Sequence, residues 1–552
     1  MDEIIRRLRL WVDRILISLS TICSLVVVFH LGYNTDPDVE RLTNKMLEWC
    51  FLFFALALAA KTFTAFKSKS SVFTRAGEAF LLSFFLVVII ADSYHFSATD
   101  GTELVKPEWM YLGIFSVLMI EISKQTLFFD KFYFSPALLF VLSFLTLILI
   151  GTALLLLPKT TYHQLSFVDA LFLATSAVCI TGLSVVDIAS EFTRFGQTIL
   201  LILVQIGGLG IMTFTGFFGY FFSGGFSYKN QLMFTELIGE NKMSSVISTL
   251  YKIILVTFFF EALGAGLIYL TLDQKEFENS TEKIYFAIFH AITSFCNAGF
   301  STLPDGLHSQ SVRGNYLLHV CIISLYVLGG LGFGITFNTY EFIKRWTLNI
   351  YHKIRYSRRF IYRAHVIGFN SRIIAYTSFF LIIVGFTLVF VLEYSHTLAE
   401  HNSLFGKTIT ALFIGTAPRS AGFNTVNMGD LTFPTVMIIF LLMWIGAAPG
   451  STGGGIKVTT FALATLNIFC LVTGRDKIQV FGREISTESV ARALGIISLS
   501  LIFLGLAIFM LTVTDPDKTL LSLAFETFSA YSTTGLSLGI TDKLSDPGRL
   551  VI

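Results

Sequence analysis

The stretch Thr527-Phe-Ser-Ala-Tyr-Ser-Thr-Thr-Gly-Leu-Ser537 decides how this chain is read, because three relatives of it lie upstream. They are Ala174-Thr-Ser-Ala-Val-Cys-Ile-Thr-Gly-Leu-Ser184, Thr293-Ser-Phe-Cys-Asn-Ala-Gly-Phe-Ser301 and Gly415-Thr-Ala-Pro-Arg-Ser-Ala-Gly-Phe-Asn424. Each closes on a small residue or Thr, then Gly, then Leu or Phe, then Ser or Asn. The glycines, Gly182, Gly299, Gly422 and Gly535, lie 117, 123 and 113 residues apart. Self-similarity at a near-constant period is the mark of a repeated structural unit. Each copy ends an apolar stretch of about 10–14 residues, and a helix needs about 20 to cross a bilayer. Such half-length segments suit re-entrant helices, whose non-helical backbone is tolerated only where protein buries it or it lines a watery cavity. The predicted unit is therefore outer helix, re-entrant pore helix, glycine loop and inner helix, four times around one axis.

The residue types in the loops suit alkali-cation chemistry. A dehydrated cation needs a ring of oxygens in place of its water. Gly tolerates φ > 0, which lets successive carbonyls turn inward. The expected ring is Val178, Cys179, Ile180, Thr181 and Gly182; Cys296, Asn297, Ala298 and Gly299; Arg419, Ser420, Ala421 and Gly422; Ser532, Thr533, Thr534 and Gly535. Thr181, Asn297, Ser420 and Thr533 add side-chain oxygens. A single small-residue site would read as close helix packing; four matched loops favour the pore.

Composition places these repeats in a membrane. The chain has 552 residues, 54% hydrophobic and 14% charged, and its mean hydropathy is +0.72. Soluble domains carry about 25% charged residues. An ordinary cytosolic enzyme, a disordered protein and a secreted disulfide scaffold are excluded. The net charge of +2 gives no reason to expect nucleic acid as a partner. Apolar runs lie near 15–32, 46–66, 77–95, 109–128, 135–157, 197–222, 253–271, 315–343, 373–393, 434–469 and 490–513. The first follows Arg6, Arg7, Arg9 and Arg14 without an A-x-A-like cleavage site, and is expected to be a retained helix rather than a signal peptide. The basic loops 67–75, Lys344 to Arg372 and 474–492 alternate with acidic or mixed ones, so the N-terminus and the basic loops are assigned to the cytoplasm.

The run 434–469 is too long for one span, and Gly446, Pro449, Gly450, Gly453, Gly454 and Gly455 interrupt it. Pro and successive Gly break a helix interior, and the freed backbone is expected to line the cavity. Phosphate binding is not expected there, since Ile456 separates Gly455 from Lys457 and a phosphate loop needs Lys directly after Gly. Lys457 has two expected places: the inner pore, where it would oppose cations, or the cytoplasmic interface.

Asp169, His290 and Glu526 fall on pore helices, and ionisable residues inside spans are functional hypotheses by default. His290 is expected to be a hydrogen-bonded structural residue, and Glu261 to be helix glue. Glu526 is expected to pair with Arg419, the alternative being attraction of cations. Cys23, Cys50, Cys179, Cys296, Cys321 and Cys470 are expected to be free thiols, although Cys179 and Cys296 occupy matching positions. The chain carries no H-E-x-x-H or G-x-S-x-G, so no enzyme is expected.

At TSAVCITGLSVVD, FCNAGFS, GTAPRSAGFNT and FSAYSTTGLSLGIT the chain resembles the Trk/Ktr/HKT superfamily of potassium transporters, from roughly Phe134 to Ile552. The inner-helix clusters Gly207-Gly-Leu-Gly210 and Gly329-Gly-Leu-Gly332, with the segment Gly446 to Lys457, agree. The resemblance implies an all-α polytopic membrane protein with four M1–P–M2 repeats around one pore. The corresponding division is 1–130 accessory transmembrane helices, 131–225, 226–345 and 346–472 for the first three repeats, and 473–552 for a fourth whose last inner helix is not in the sequence. It further implies potassium as the transported ion with sodium a second candidate, no prosthetic group, and a gate in the broken third inner helix. The expected partners are a second copy in a homodimer, a cytosolic nucleotide-binding regulatory ring and the lipid bilayer of the cell (inner) membrane. Gly at all four ring positions resembles the potassium-selective pattern. A cation-coupled secondary transporter of a small solute is the alternative, for which paired inverted repeats would be expected.

Overall fold

The computed structural model describes residues 2–33, 36–67, 72–96, 107–125, 136–210, 246–274, 277, 279–332, 335, 346–350, 369–475 and 477–552. The basic loop from Lys344 to Arg372, the later parts of the runs 197–222 and 315–343, and the loops 67–75 and 92–108 lie wholly or partly outside them. Among the described residues the chain is helical, apart from one antiparallel hairpin pairing Gln479–Val480 with Arg483–Glu484. Five of the described helices are long and apolar enough to cross a membrane.

The chain forms two compact units, one of residues 1–145, 157–162 and 210–252, the other of 146–156, 163–209 and 253–552. The first contains the helices Asp2–Gly32, Pro37–Lys67, Val72–Phe96 and Pro107–Gln125. Leu16, Phe51, Phe54, Leu58, Phe85 and Ile114 fill its core, and the rings of Phe51 and Phe85 stack at 4.2 Å. Lys61 is buried between Asp13 and Glu121, with Nζ 2.8 Å from Glu121 Oε1.

From residue 136 on, one order of elements recurs. A long helix precedes a short one, a glycine loop and a further helix: Pro136–Leu155, Phe167–Val178 and Arg194–Leu209; then Val246–Thr271, Ser280–Phe295 and Tyr316–Gly330. The third set is Phe369–Glu393, Leu404–Thr416 and Phe433–Trp444, and the fourth Thr487–Thr514, Leu520–Tyr531 and Asp546–Val551. The short helices start where their sequence says they should. Ser166, Ser403 and Thr519 each accept a backbone N–H from three residues on, satisfying donors that a helix start leaves free. The run 434–469 does break: one helix stops at Trp444 and the next starts at Val458.

The last turn of the chain is fixed by charge. Asp515 Oδ1 accepts the N–H of Ser545 at 2.7 Å and Oδ2 accepts its hydroxyl at 3.0 Å. Arg549 then bonds Asp169 on the first short helix, joining residues 380 positions apart.

Candidate functional site

The short helices of the first, second and fourth sets end alike. In each, the third residue before the loop glycine caps the helix, and the next is left-handed: Ile180 at φ 59°, Asn297 at 60° and Thr533 at 47°. The N–H of the residue after it reaches back to Ser176, Thr293 and Ser529 at 2.7, 2.8 and 2.8 Å. This is the two-bond helix ending that normally has glycine at its left-handed position. The third loop has Ser420 there at φ 72°, with Ala421 N bonded to Ala417 O instead. The glycines follow two residues later at φ 83°, 67°, 74° and 84°. Left-handed residues at alternate positions turn successive peptide planes the same way. Ile180 and Thr533 are β-branched, so holding them there stores strain of about 1–3 kcal/mol each.

The loops meet in cyclic order. A methyl added to Gly182 would lie 2.2 Å from Ala298 O, and one on Gly299 would lie 2.6 Å from Gly422 Cα and 3.0 Å from Ala421 O. One on Gly422 would lie 2.7 Å from Thr534 O, and one on Gly535 would lie 2.4 Å from Thr181 O. Each glycine thus rests on the carbonyl that precedes the next glycine, and the fourth returns to the first. The inner-helix glycine clusters belong to the same construction. A methyl on Gly207 would strike Val178 O at 2.2 Å, and one on Gly329 would strike Phe295 O at 2.0 Å.

Below this ring lies the break between Trp444 and Val458. Ala447 N bonds Gly454 O and Ile456 N bonds Trp444 O, folding the segment on itself. Gly446 has no room for a side chain, since a methyl would lie 1.9 Å from Gly454 O. The segment is tied to three of the loops or their neighbours. Gly454 N donates to Thr533 Oγ1 at 2.8 Å and to Ser420 Oγ at 3.0 Å. Thr452 Oγ1 donates to Asn297 Oδ1 at 3.3 Å and Phe295 O at 3.4 Å, and Ala448 N donates to Gly330 O. Pro449 and Gly450 sit against Gly332, and Gly453 lies beside Ser420. The Lys457 ammonium donates to Gly453 O at 2.6 Å, within the broken segment.

The expected pairing of Glu526 with Arg419 is not made. Glu526 is fully buried and accepts from the hydroxyls of Ser537 and Thr541. Arg419 turns away to the third outer helix, where it donates to Ser378 O and Ser378 Oγ, each at 3.2 Å. Opposite charge on neighbouring segments gave no information about the face each side chain occupies. His290 is buried and hydrogen-bonded, to Phe286 O and Ser301 Oγ. Glu261 is buried, accepts from Gln205 Nε2 at 3.0 Å and lies 3.7 Å from Cys296 Sγ. All six cysteines have free thiols, Cys179 and Cys296 included. Sequence reasoning missed Ser378 and Arg549, and no local signal marks either. Among the described residues no three His, Cys, Asp or Glu converge as a metal site.

Comparison with known proteins agrees with this architecture. The profile of the family described as "TrkH: Cation transport protein" matches residues 121–552. Ktr system potassium uptake protein B of Bacillus subtilis is 33% identical over 421 residues, 76% of this chain and 89% of that protein. The Vibrio alginolyticus protein of the same name is 33% identical over 417 residues, covering 75% and 86%. The potassium/sodium uptake protein NtpJ of Enterococcus hirae is 32% identical over 423 residues, covering 76% and 89%. In fold, the crystal structure of the potassium transporter TrkH from Vibrio parahaemolyticus superposes with a TM-score of 0.60 at 18% identity, covering 92% of this chain and 94% of that one.

Proposed function

This chain belongs to the TrkH family of cation transport proteins, a multi-pass membrane protein, and from that premise we propose that it takes up potassium through the ring of glycine loops. The observation that carries the reading is the closed cyclic contact of Gly182, Gly299, Gly422 and Gly535, each with the carbonyl of the residue before the next glycine. Carbonyl oxygens held by a rigid backbone replace the hydration shell of an alkali cation without adding titratable charge. The left-handed residues two before each glycine support the same reading, because they aim the backbone without any side-chain ligand. In this reading the four repeats divide near residues 131, 226, 346 and 473.

The broken segment 445–457 acts as the gate. Its hydrogen bonds to Thr533, Ser420 and Asn297 hold it under the ring, and Gly453 to Gly455 keep the part that touches Ser420 and Thr533 free of side chains. Uptake is driven by the membrane potential, worth about 2.3 kcal/mol per charge per 100 mV. The chain works in the cell (inner) membrane, N-terminus in the cytoplasm, as a homodimer on a cytosolic nucleotide-binding ring. The relatives' names support potassium as cargo, and that of NtpJ keeps sodium as a competitor.

The test is rubidium uptake into proteoliposomes with sodium as competitor. Wild-type uptake should resist sodium, and Gly182→Ser should lose that resistance. Uptake indifferent to Gly182 would reject the ring as the selective element.

A further inference from the structure

All four loops place a Ser or Asn two residues after the ring glycine: Ser184, Ser301, Asn424 and Ser537. All four line one open cavity of about 340 Å³, which also touches the four ring glycines. At roughly 30 Å³ per water molecule it has room for a cation with part of its hydration shell.

The serine hydroxyls are not free to rotate. In the second loop His290 Nδ1 faces Phe286 O at 3.0 Å. A carbonyl only accepts, so Nδ1 carries the hydrogen and Nε2 of the neutral ring is an acceptor. The Ser301 hydroxyl, 2.9 Å away, therefore donates to Nε2. In the fourth loop the Ser537 hydroxyl donates to the Glu526 carboxylate. Thr541 Oγ1 lies 3.0 Å from Glu526 Oε2 and 2.9 Å from Ser537 Oγ, so its one hydrogen is shared between the two. His290 and Glu526 hold the same place, nine residues before their glycines. Each serine oxygen also receives the backbone N–H two residues on, Leu303 at 3.1 Å and Gly539 at 2.9 Å. In the first loop, where Leu173 stands at the matching place, the Ser184 hydroxyl donates to Val186 O. All three hydroxyl hydrogens are thus turned back into the protein. On Ser184 and Ser301 the oxygen keeps a lone pair and presents no hydrogen, as a cation requires and an anion or a hydrogen-bond acceptor does not.

We propose that Ser301 and Ser537, with Ser184 and Asn424, form an outer binding site for a partly hydrated monovalent cation, two residues above the glycine ring, with His290 and Glu526 as the positioning residues that aim the oxygens. This rests on the reading of the ring as the cation path. The site collects the ion and removes part of its water before the ring takes the rest. Discrimination between cations remains with the carbonyls below. Capture at low concentration depends on the aimed hydroxyls.

The test is the concentration dependence of rubidium uptake by the full chain in proteoliposomes. Ser301→Ala with Ser537→Ala should raise the half-saturating rubidium concentration on the order of tenfold, the factor given by about 1.4 kcal/mol of lost contact. That rise should exceed any fall in maximal rate, and resistance to sodium should persist. Ser301→Thr with Ser537→Thr keeps both hydroxyls and should restore capture to within about twofold of wild type. A double alanine variant that lowers only the maximal rate, or loses sodium resistance in parallel, would overturn the outer site and leave the ring reading intact. Wild-type uptake indifferent to Gly182→Ser would overturn both.

Discussion

At the scale of the residue, the ring glycines are held by space as much as by backbone angle. Gly299 has φ 67°, and a methyl there would lie 2.6 Å from Gly422 Cα, which is backbone and cannot rotate aside. Gly299→Ala should therefore lower rubidium uptake by at least about tenfold while the protein still reaches the membrane, read by uptake normalised to protein incorporated. A second residue-scale prediction concerns the loop between the third outer and pore helices. His401 is buried, within hydrogen-bond reach of the Tyr316 hydroxyl and Thr410. Burial, and after it the charges of Arg313, His308 and Lys407, hold its pKa below the ordinary histidine value. The unfolded chain thus binds this proton more readily than the folded one, so stability rises with pH. The contribution is complete above about pH 6.5 and is lost as pH falls below that value. Thermal unfolding in detergent at pH 8 and pH 5 should show a loss on acidification that His401→Gln reduces.

At the scale of the element, the four-fold spacing of the glycine loops was legible because it is local chemistry repeated. The loop needs φ > 0 at the glycine wherever it occurs, and the break at Gly446 to Gly455 announces itself by Pro and Gly alone. Pairings across the ring were not legible. Asp169 and Arg549 are 380 residues apart, and nothing near either names the other. Glu526 and Arg419 looked complementary, yet one points up its loop to Ser537 and the other out to Ser378. A pore helix has several faces, and the sequence does not say which one a lone charge takes. The Asp169–Arg549 pair should contribute about 1.5–3 kcal/mol as a charge-assisted bond. A double-mutant cycle with Asp169→Asn and Arg549→Gln, read by thermal unfolding, should show coupling that neither single change accounts for. The broken segment carries its own prediction. Thr452→Val keeps the shape and removes the bonds to Asn297 and Phe295. About 1 kcal/mol lost from the closed state should raise basal rubidium uptake roughly fivefold if two states exchange.

At the scale of the molecule, the family profile begins at residue 121, while the likeness in fold to the TrkH structure covers 92% of the chain and so reaches into the N-terminal helices. The N-terminal unit's four helices enclose a packed aromatic core, with Lys61 between two carboxylates. Lys61→Met would leave Glu121 buried without its cation and should destabilise the unit by about 3–5 kcal/mol. Replacing Lys61, Asp13 and Glu121 together by apolar residues should recover most of that, a comparison that chemical denaturation in detergent can make. The closure of four unlike loops into one ring has a consequence for how such a protein changes over generations. In a pore assembled from identical chains every substitution arrives fourfold, and intermediate steps are inaccessible. Here a single codon alters one quadrant and leaves three as controls, so, with the ring as the proposed selective element, ion preference would be graded in quarter steps and each quadrant can acquire a private support, as the bonds of His290 to Ser301 and of Glu526 to Ser537 illustrate.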